Sequence, residues 1–176
     1  IDDMAADMML FQRSAYSSGS LMAHDARNRM ESLDTRTDLV VTSPPYPNNY
    51  DYGDSTRLEM CFWHEIKGWG DLQGAVRRFL MHSCSQHTAA EKLKLDDVLA
   101  APQLGSIRDE LSRICRNLEE ERLNHSGKKT YHTMIAAYFA DIASVFHALR
   151  SACRAGSRMC FVIGDSAPYG IYGPVD

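Results

Sequence analysis

No stretch of this chain reaches the ~18 consecutive apolar residues that a membrane span needs, which argues against a membrane-embedded function. Paired cysteines are missing as well. The five present (Cys61, Cys84, Cys115, Cys153 and Cys160) are scattered and odd in number. That excludes a disulfide scaffold and predicts free thiols in a reducing cytoplasm. Neither sign of charge dominates: 19 Lys and Arg stand against 23 Asp and Glu, a net charge of −4. A nucleic-acid partner would therefore have to meet a local basic patch, because the global field is unhelpful. The chain does not open on a methionine, and no signal peptide is expected. The opening Ile1-Asp2-Asp3 predicts a piece cut from a longer protein.

What is present reads as one domain of ordinary size. Ile1, Met4, Ala5, Met8 and Phe11 have helical spacing, and Ser17-Ser18-Gly19-Ser20 closes that helix. Its methionine stripe is expected to pack in a core or a domain interface. Leu21 to Ala23 reads as a short strand and Asn28 to Leu33 as a short helix. Leu39 to Thr42, in the run Asp38 to Thr42, is the best strand of the chain and reads as buried. Helices are expected from Thr56 to Lys67 and, capped by Asp71, through Leu72, Val76, Phe79 and Leu80. An amphipathic helix over 103–124 and a long helix from Tyr131 to Cys153 follow, before a second apolar strand from Arg158 to Gly164. Apolar strands without alternation, separated by helices, predict an α/β fold whose parallel sheet is covered on both faces. Three strands are too few for such a sheet, so a sheet-forming piece is expected to be missing. Pro174 suits the first turn of a further helix.

The strongest local feature is Ser43-Pro44-Pro45-Tyr46 at the end of the best strand. The two prolines fix φ and stop the ladder, leaving a rigid corner with one hydroxyl, one aromatic ring and carbonyls of set direction. In open α/β sheets ligands bind at such carboxyl ends of strands. This equipment suits a flat, polar group bearing an amine. A disordered Pro-Pro-Tyr ligand of WW domains would not follow a Val-Val strand.

The stretch resembles the catalytic motif of DNA amino-methyltransferases, which transfer a methyl group from S-adenosylmethionine to the exocyclic nitrogen of cytosine or adenine. The resemblance implies a partial Rossmann-like methyltransferase sheet, mostly parallel, with a helical insertion over 57–127 after the catalytic strand. Residues 1–176 would then be an incomplete catalytic domain. Ser43 and the Pro44 carbonyl would each accept one amine hydrogen, Pro45 would stiffen the turn, and Tyr46 would stack on a base flipped from the duplex. Stacking calls for the ring, not the hydroxyl. The polar loop Asn48-Asn49-Tyr50-Asp51-Tyr52, with Arg57 beyond it, would face double-stranded DNA; its bland alternative is a plain surface loop.

Cofactor contacts are implied for Asp25 and Ala26, in a segment that resembles the family's Gly-Asp-Ala, for Thr42, and for the turn Gly164-Asp165-Ser166. Asp25 as a simple helix N-cap is an equal alternative. The family's Phe-x-Gly-x-Gly cofactor loop has no match, so the remainder of a longer methyltransferase chain is an expected partner. A restriction endonuclease is a further candidate partner, and the implied localisation is cytoplasmic. Ser at the first motif position tilts the reading toward cytosine N4, since many adenine-methylating relatives carry Asp. Adenine N6, a protein-glutamine or RNA substrate, and a non-catalytic DNA-binding remnant are the rival readings. His82, Cys84 and His87 lack the paired spacing of a zinc site, and no metal is expected. No cysteine stands where a cytosine-C5 nucleophile would.

Overall fold

A computed structural model of the chain describes residues 2–11, 19–29 and 36–175. The chain is mixed α/β, and among the described residues the sheet has two strands. Strand β1 (Thr37–Thr42) pairs in parallel with β2 (Cys153–Phe161), from Leu39 opposite Arg158 to Thr42 opposite Phe161. Between the strands come seven helices that follow α1 (Asp2–Phe11): α2 (Tyr52–Ser55), α3 (Arg57–Phe62), α4 (Leu72–Ala75), α5 (Ser85–Ala90), α6 (Leu95–Leu99), α7 (Arg108–Glu121) and α8 (Tyr131–Ala152). No described helix is long and apolar enough to cross a membrane.

The core lies in the helices, not around the sheet. Leu95 and Leu99 of α6, Leu104, and Leu111, Ile114 and Leu118 of α7 pack against Met134, Ile135 and Ala136 of α8. The 3.6-residue repeat of α7 lines one face with these side chains. Ser126 and Gly127, at φ +64° and +69°, reverse the chain so that α8 can run back. α8 passes into β2 without a loop. Residues 154–157 bulge opposite Asp38, helped by Gly156 at φ +86° and a hydrogen bond from Ser157 Oγ to the Thr37 carbonyl (2.6 Å).

Several expectations are corrected. β1 is not buried: Leu39 is 56% and Val41 68% exposed. With Arg158 and Cys160, also exposed, they form one bare face of the sheet. The opposite face is partly covered by α8, where Phe146 meets Phe161 at 5.0 Å between ring centroids, and Met159 stays 40% exposed. A layer over the second face is absent from the described residues, so the sheet is covered on one side only. Residues 21–23 form no strand, and Leu21 is fully exposed. Residues 5–9 of α1 are exposed, so Met8 and Met9 join no core here. The expected helix over 28–33 falls mostly on residues outside those described. The helix from Asp71 breaks at Val76 into α4 and a 3-10 turn, Arg77–Phe79. Asp71 makes no cap; its carboxylate accepts the Lys67 N–H at 2.9 Å.

Candidate active site

Parallel pairing brings the carboxyl ends of the two strands side by side. The ladder continues with the Val162 N–H donating to the Thr42 carbonyl (3.0 Å). Ser43 and Val162 therefore leave the sheet together, 119 residues apart in sequence. Ser43 Oγ lies 3.3 Å from the Val162 carbonyl and 3.0 Å from the Tyr46 hydroxyl. The Tyr46 ring packs on Gly164, where a Cβ would stand 3.4 Å from Cδ2 and 3.6 Å from Cγ. The close fit of ring on backbone leaves little room for a larger side chain. Ser166, itself buried, donates from Oγ to the carbonyl of buried Pro47 (2.5 Å). Two motifs read separately in the sequence thus form one surface.

The strand-end turn after β2 folds back on itself. Ser166 and Gly173 exchange backbone hydrogen bonds at 3.3 and 2.7 Å. Asp165 accepts from the Tyr172 hydroxyl (2.6 Å) and the Val175 N–H (3.1 Å), and the Tyr172 contact holds its carboxyl below the usual range. Tyr169, left-handed at φ +55°, stacks on His125 and meets Tyr131 edge-on, tying the turn to the start of α8. Asn48, Asn49, Tyr131 and residues 165–168 enclose a cleft of about 210 Å³.

The loop after Tyr46 is held on its other flank by the helices. Asn49 is left-handed (φ +62°), and its Oδ1 accepts from the Ser85 N–H (2.9 Å) and Oγ (2.7 Å). Asp51 caps α2 by accepting the Gly53 and Asp54 N–H groups, and Arg77 donates to it from Nε (2.9 Å) and Nη2 (2.5 Å). Burial alone would push the Asp51 carboxyl up, but the Arg77 and Asp54 hydrogen bonds bring it below the ordinary value. Tyr50, half exposed, meets Tyr52 edge-on at 4.8 Å. Arg57 lies 4.0 Å over the Trp69 ring and pairs with Asp54 (3.3 Å). Tyr138 is fully buried; burial, with the Tyr52 and Tyr46 phenols nearby, pushes its hydroxyl up to about 12.

Of the residues expected to meet a cofactor, Thr42, Gly164, Asp165 and Ser166 gather at the strand ends. Asp25 does something else. Its carboxylate is bidentate with Arg27, which also reaches Asp141 (3.4 Å), and its carbonyl accepts the Asn28 N–H in a turn. Ala26 is exposed beside it.

Asp51, Arg77 and Ser85 were not singled out from the sequence. Asp51 ahead of Tyr52-Gly53-Asp54 carries an N-cap signal that could have been read; Ser85 carries none. A second cluster also escaped notice. His82 Nδ1 lies 2.8 Å from Asp141 and Nε2 3.1 Å from Glu91, while its N–H donates to Asp141 (2.9 Å). Among the described residues no group of three His, Cys, Asp or Glu side chains could hold a metal.

The chain is similar to Type II methyltransferase M.BsoBI of Geobacillus stearothermophilus, 26% identical over 168 residues, covering 89% of this chain and 32% of the relative. It is 30% identical over 136 residues to Type II methyltransferase M.AvaI from Nostoc sp. and from Anabaena variabilis, covering 75% of this chain and 26% of each relative. The chain thus spans about a third or less of the length of these curated relatives. No family model matches the chain. No solved structure matches it.

Proposed function

We propose that this chain carries the base-handling part of a site-specific DNA methyltransferase, which moves a methyl group from S-adenosylmethionine to the exocyclic amine of a flipped base, cytosine N4 before adenine N6. The observation that carries the reading is the Ser43 hydroxyl held between the Val162 carbonyl and the Tyr46 phenol. A serine hydroxyl has one proton and two lone pairs. With its proton given to Val162, Oγ accepts from Tyr46 and keeps a lone pair for an amine hydrogen. The Pro44 carbonyl takes the second hydrogen, and both bonds draw the nitrogen toward tetrahedral geometry, with its lone pair free to attack. Tyr46 stacks on the base.

Two of the groups expected to meet S-adenosylmethionine are engaged elsewhere. Asp25 is committed to Arg27, and both oxygens of Asp165 are engaged within their own loop. In this reading the donor is held by other parts of a longer parent, consistent with the length of the relatives. Those parts extend the sheet at its edges into a Rossmann-like one and cover the bare face of β1, and residues 57–127 are a helical insertion in it. Asn48, Tyr50, Tyr52 and Arg57 lie on the DNA side, and a restriction endonuclease of the same specificity is the natural functional partner.

The test uses the full-length protein with labelled S-adenosylmethionine and duplex DNA, followed by mapping of the modified base. N4-methylcytosine is the expected product, and Ser43→Ala should remove most of the transfer with little loss of DNA affinity. Predominant N6-methyladenine would overturn the base assignment alone. Transfer to RNA or protein, with none to DNA, would overturn the reading.

A further inference from the structure

The loop that follows Tyr46 is fastened at every second residue, each to a different element. Pro47 is held by Ser166 beyond β2, Asn49 by Ser85 at the start of α5, and Asp51 by Arg77 from the turn after α4. Ser83 Oγ adds a longer contact to the Tyr50 carbonyl (3.5 Å). Asn49 is central to this arrangement. Both of its Ser85 partners are donors, so the atom facing them is the amide oxygen. Its backbone is in the left-handed region that asparagine tolerates better than most residues.

We infer that Asn49 is a positioning residue for Tyr46 and not a reader of DNA. This rests on the proposed function. The Asn49–Ser85 lock fixes the loop at its midpoint. With Ser166 gripping Pro47, it fixes where the Tyr46 ring stands over Gly164 and thus where the base is stacked. The helical segment is then a brace for the catalytic corner, joined to it through Ser85 and Arg77.

The test is a variant series in the full-length protein, reading duplex affinity and single-turnover methylation separately. Asn49→Gly keeps the left-handed backbone and deletes the amide; Ser85→Ala deletes one of the two donors. Each should slow transfer on the order of tenfold, because a small misplacement of a reacting group is costly. Duplex affinity should hold, and the double variant should be no slower than Asn49→Gly. Asn49→Asp still accepts from both Ser85 donors, so it should lose less rate than Asn49→Gly although it adds a negative charge. A loss of DNA affinity in Asn49→Gly, or independent multiplication of the two single effects, would overturn the inference alone. A wild-type protein that transfers no methyl group to DNA would overturn the functional reading and this inference with it. Should Asn49→Gly fail to fold, Asn49→Asp and Ser85→Ala carry the same test.

Discussion

Ser43 Oγ and the Tyr46 hydroxyl lie 3.0 Å apart, so the two chemistry-bearing side chains of the corner orient each other. That changes what the tyrosine hydroxyl is for. Stacking calls for the ring alone, and a phenylalanine would then serve as well. The structure gives the hydroxyl a partner, and in the proposed function that partner is the acceptor for the amine. Tyr46→Phe should therefore slow methyl transfer by about three- to tenfold, the rate equivalent of a hydrogen bond of ~0.5–1.5 kcal/mol. Tyr46→Ala should cost more and also weaken retention of the flipped base. Single-turnover kinetics on both variants checks this, and equal rates for wild type and Tyr46→Phe would sink it.

Arg77 and Asp51 are both about nine-tenths buried. Removing one partner of such a pair leaves a desolvated charge, and Arg77→Ala should lower stability by about 3 kcal/mol. Two backbone N–H groups still serve Asp51, which keeps the loss from being larger. Arg77→Lys retains the charge but loses the two-pronged contact, and should fall in between. Urea unfolding of Arg77→Ala, Asp51→Asn and the double variant measures the coupling. Strict additivity of the two substitutions would show that the pair does not act as one.

Local pattern made the corner and the large helices legible. The run Asp38 to Thr42 is β1 within a residue, and the prolines end it where expected. The repeat in 103–124 and the apolar length of 131–153 correspond to α7 and α8. What failed depended on partners distant in sequence. Val-Val without alternation reads as a strand buried on both faces, yet whether a second layer covers Leu39 and Val41 is no property of those residues. The helix expected through Leu80 breaks at Val76, and the turn that follows lets Arg77 reach Asp51, 26 residues earlier. The meeting of 43–47 with 162–166 was implied only by the order of two motifs. The Asn49–Ser85 lock left no local trace.

His82 sits between Asp141 and Glu91. Burial alone would lower its pKa, but the two carboxylates more than offset this and raise it above the ordinary 6.5. A raised folded value means that protonated His82 contributes stability fully below about pH 6.5. The contribution fades as pH rises through the folded value. His87 and His132 are shifted down by burial and act in the opposite sense, losing stability as pH falls. Comparison with His82→Gln cancels those two. The wild type should exceed the variant in melting temperature by more at pH 5.5 than at pH 8.5. A gap that is constant across this range would show that folding does not raise the His82 pKa.

Cys160 offers the sharpest test of the bare sheet face. It is exposed on the same side as Leu39 and Val41, whereas Cys84 and Cys115 are buried and burial pushes their thiols up, Cys115 to about 12. In residues 1–176 alone, Cys160 should be alkylated first, because both access and thiolate fraction control the rate. The same apolar face should make the isolated chain self-associate, and Val41→Lys should reduce that association with little loss of stability, since an exposed position has few contacts to lose. If a longer parent lays further structure over β1, Cys160 becomes slow to label in it, while Cys61, half-buried on α3, keeps its rate. Peptide-resolved alkylation of the two forms makes the comparison directly. Equal labelling of Cys160 in both would mean that the face stays open in the whole protein, and the idea of a covering layer would have to be abandoned.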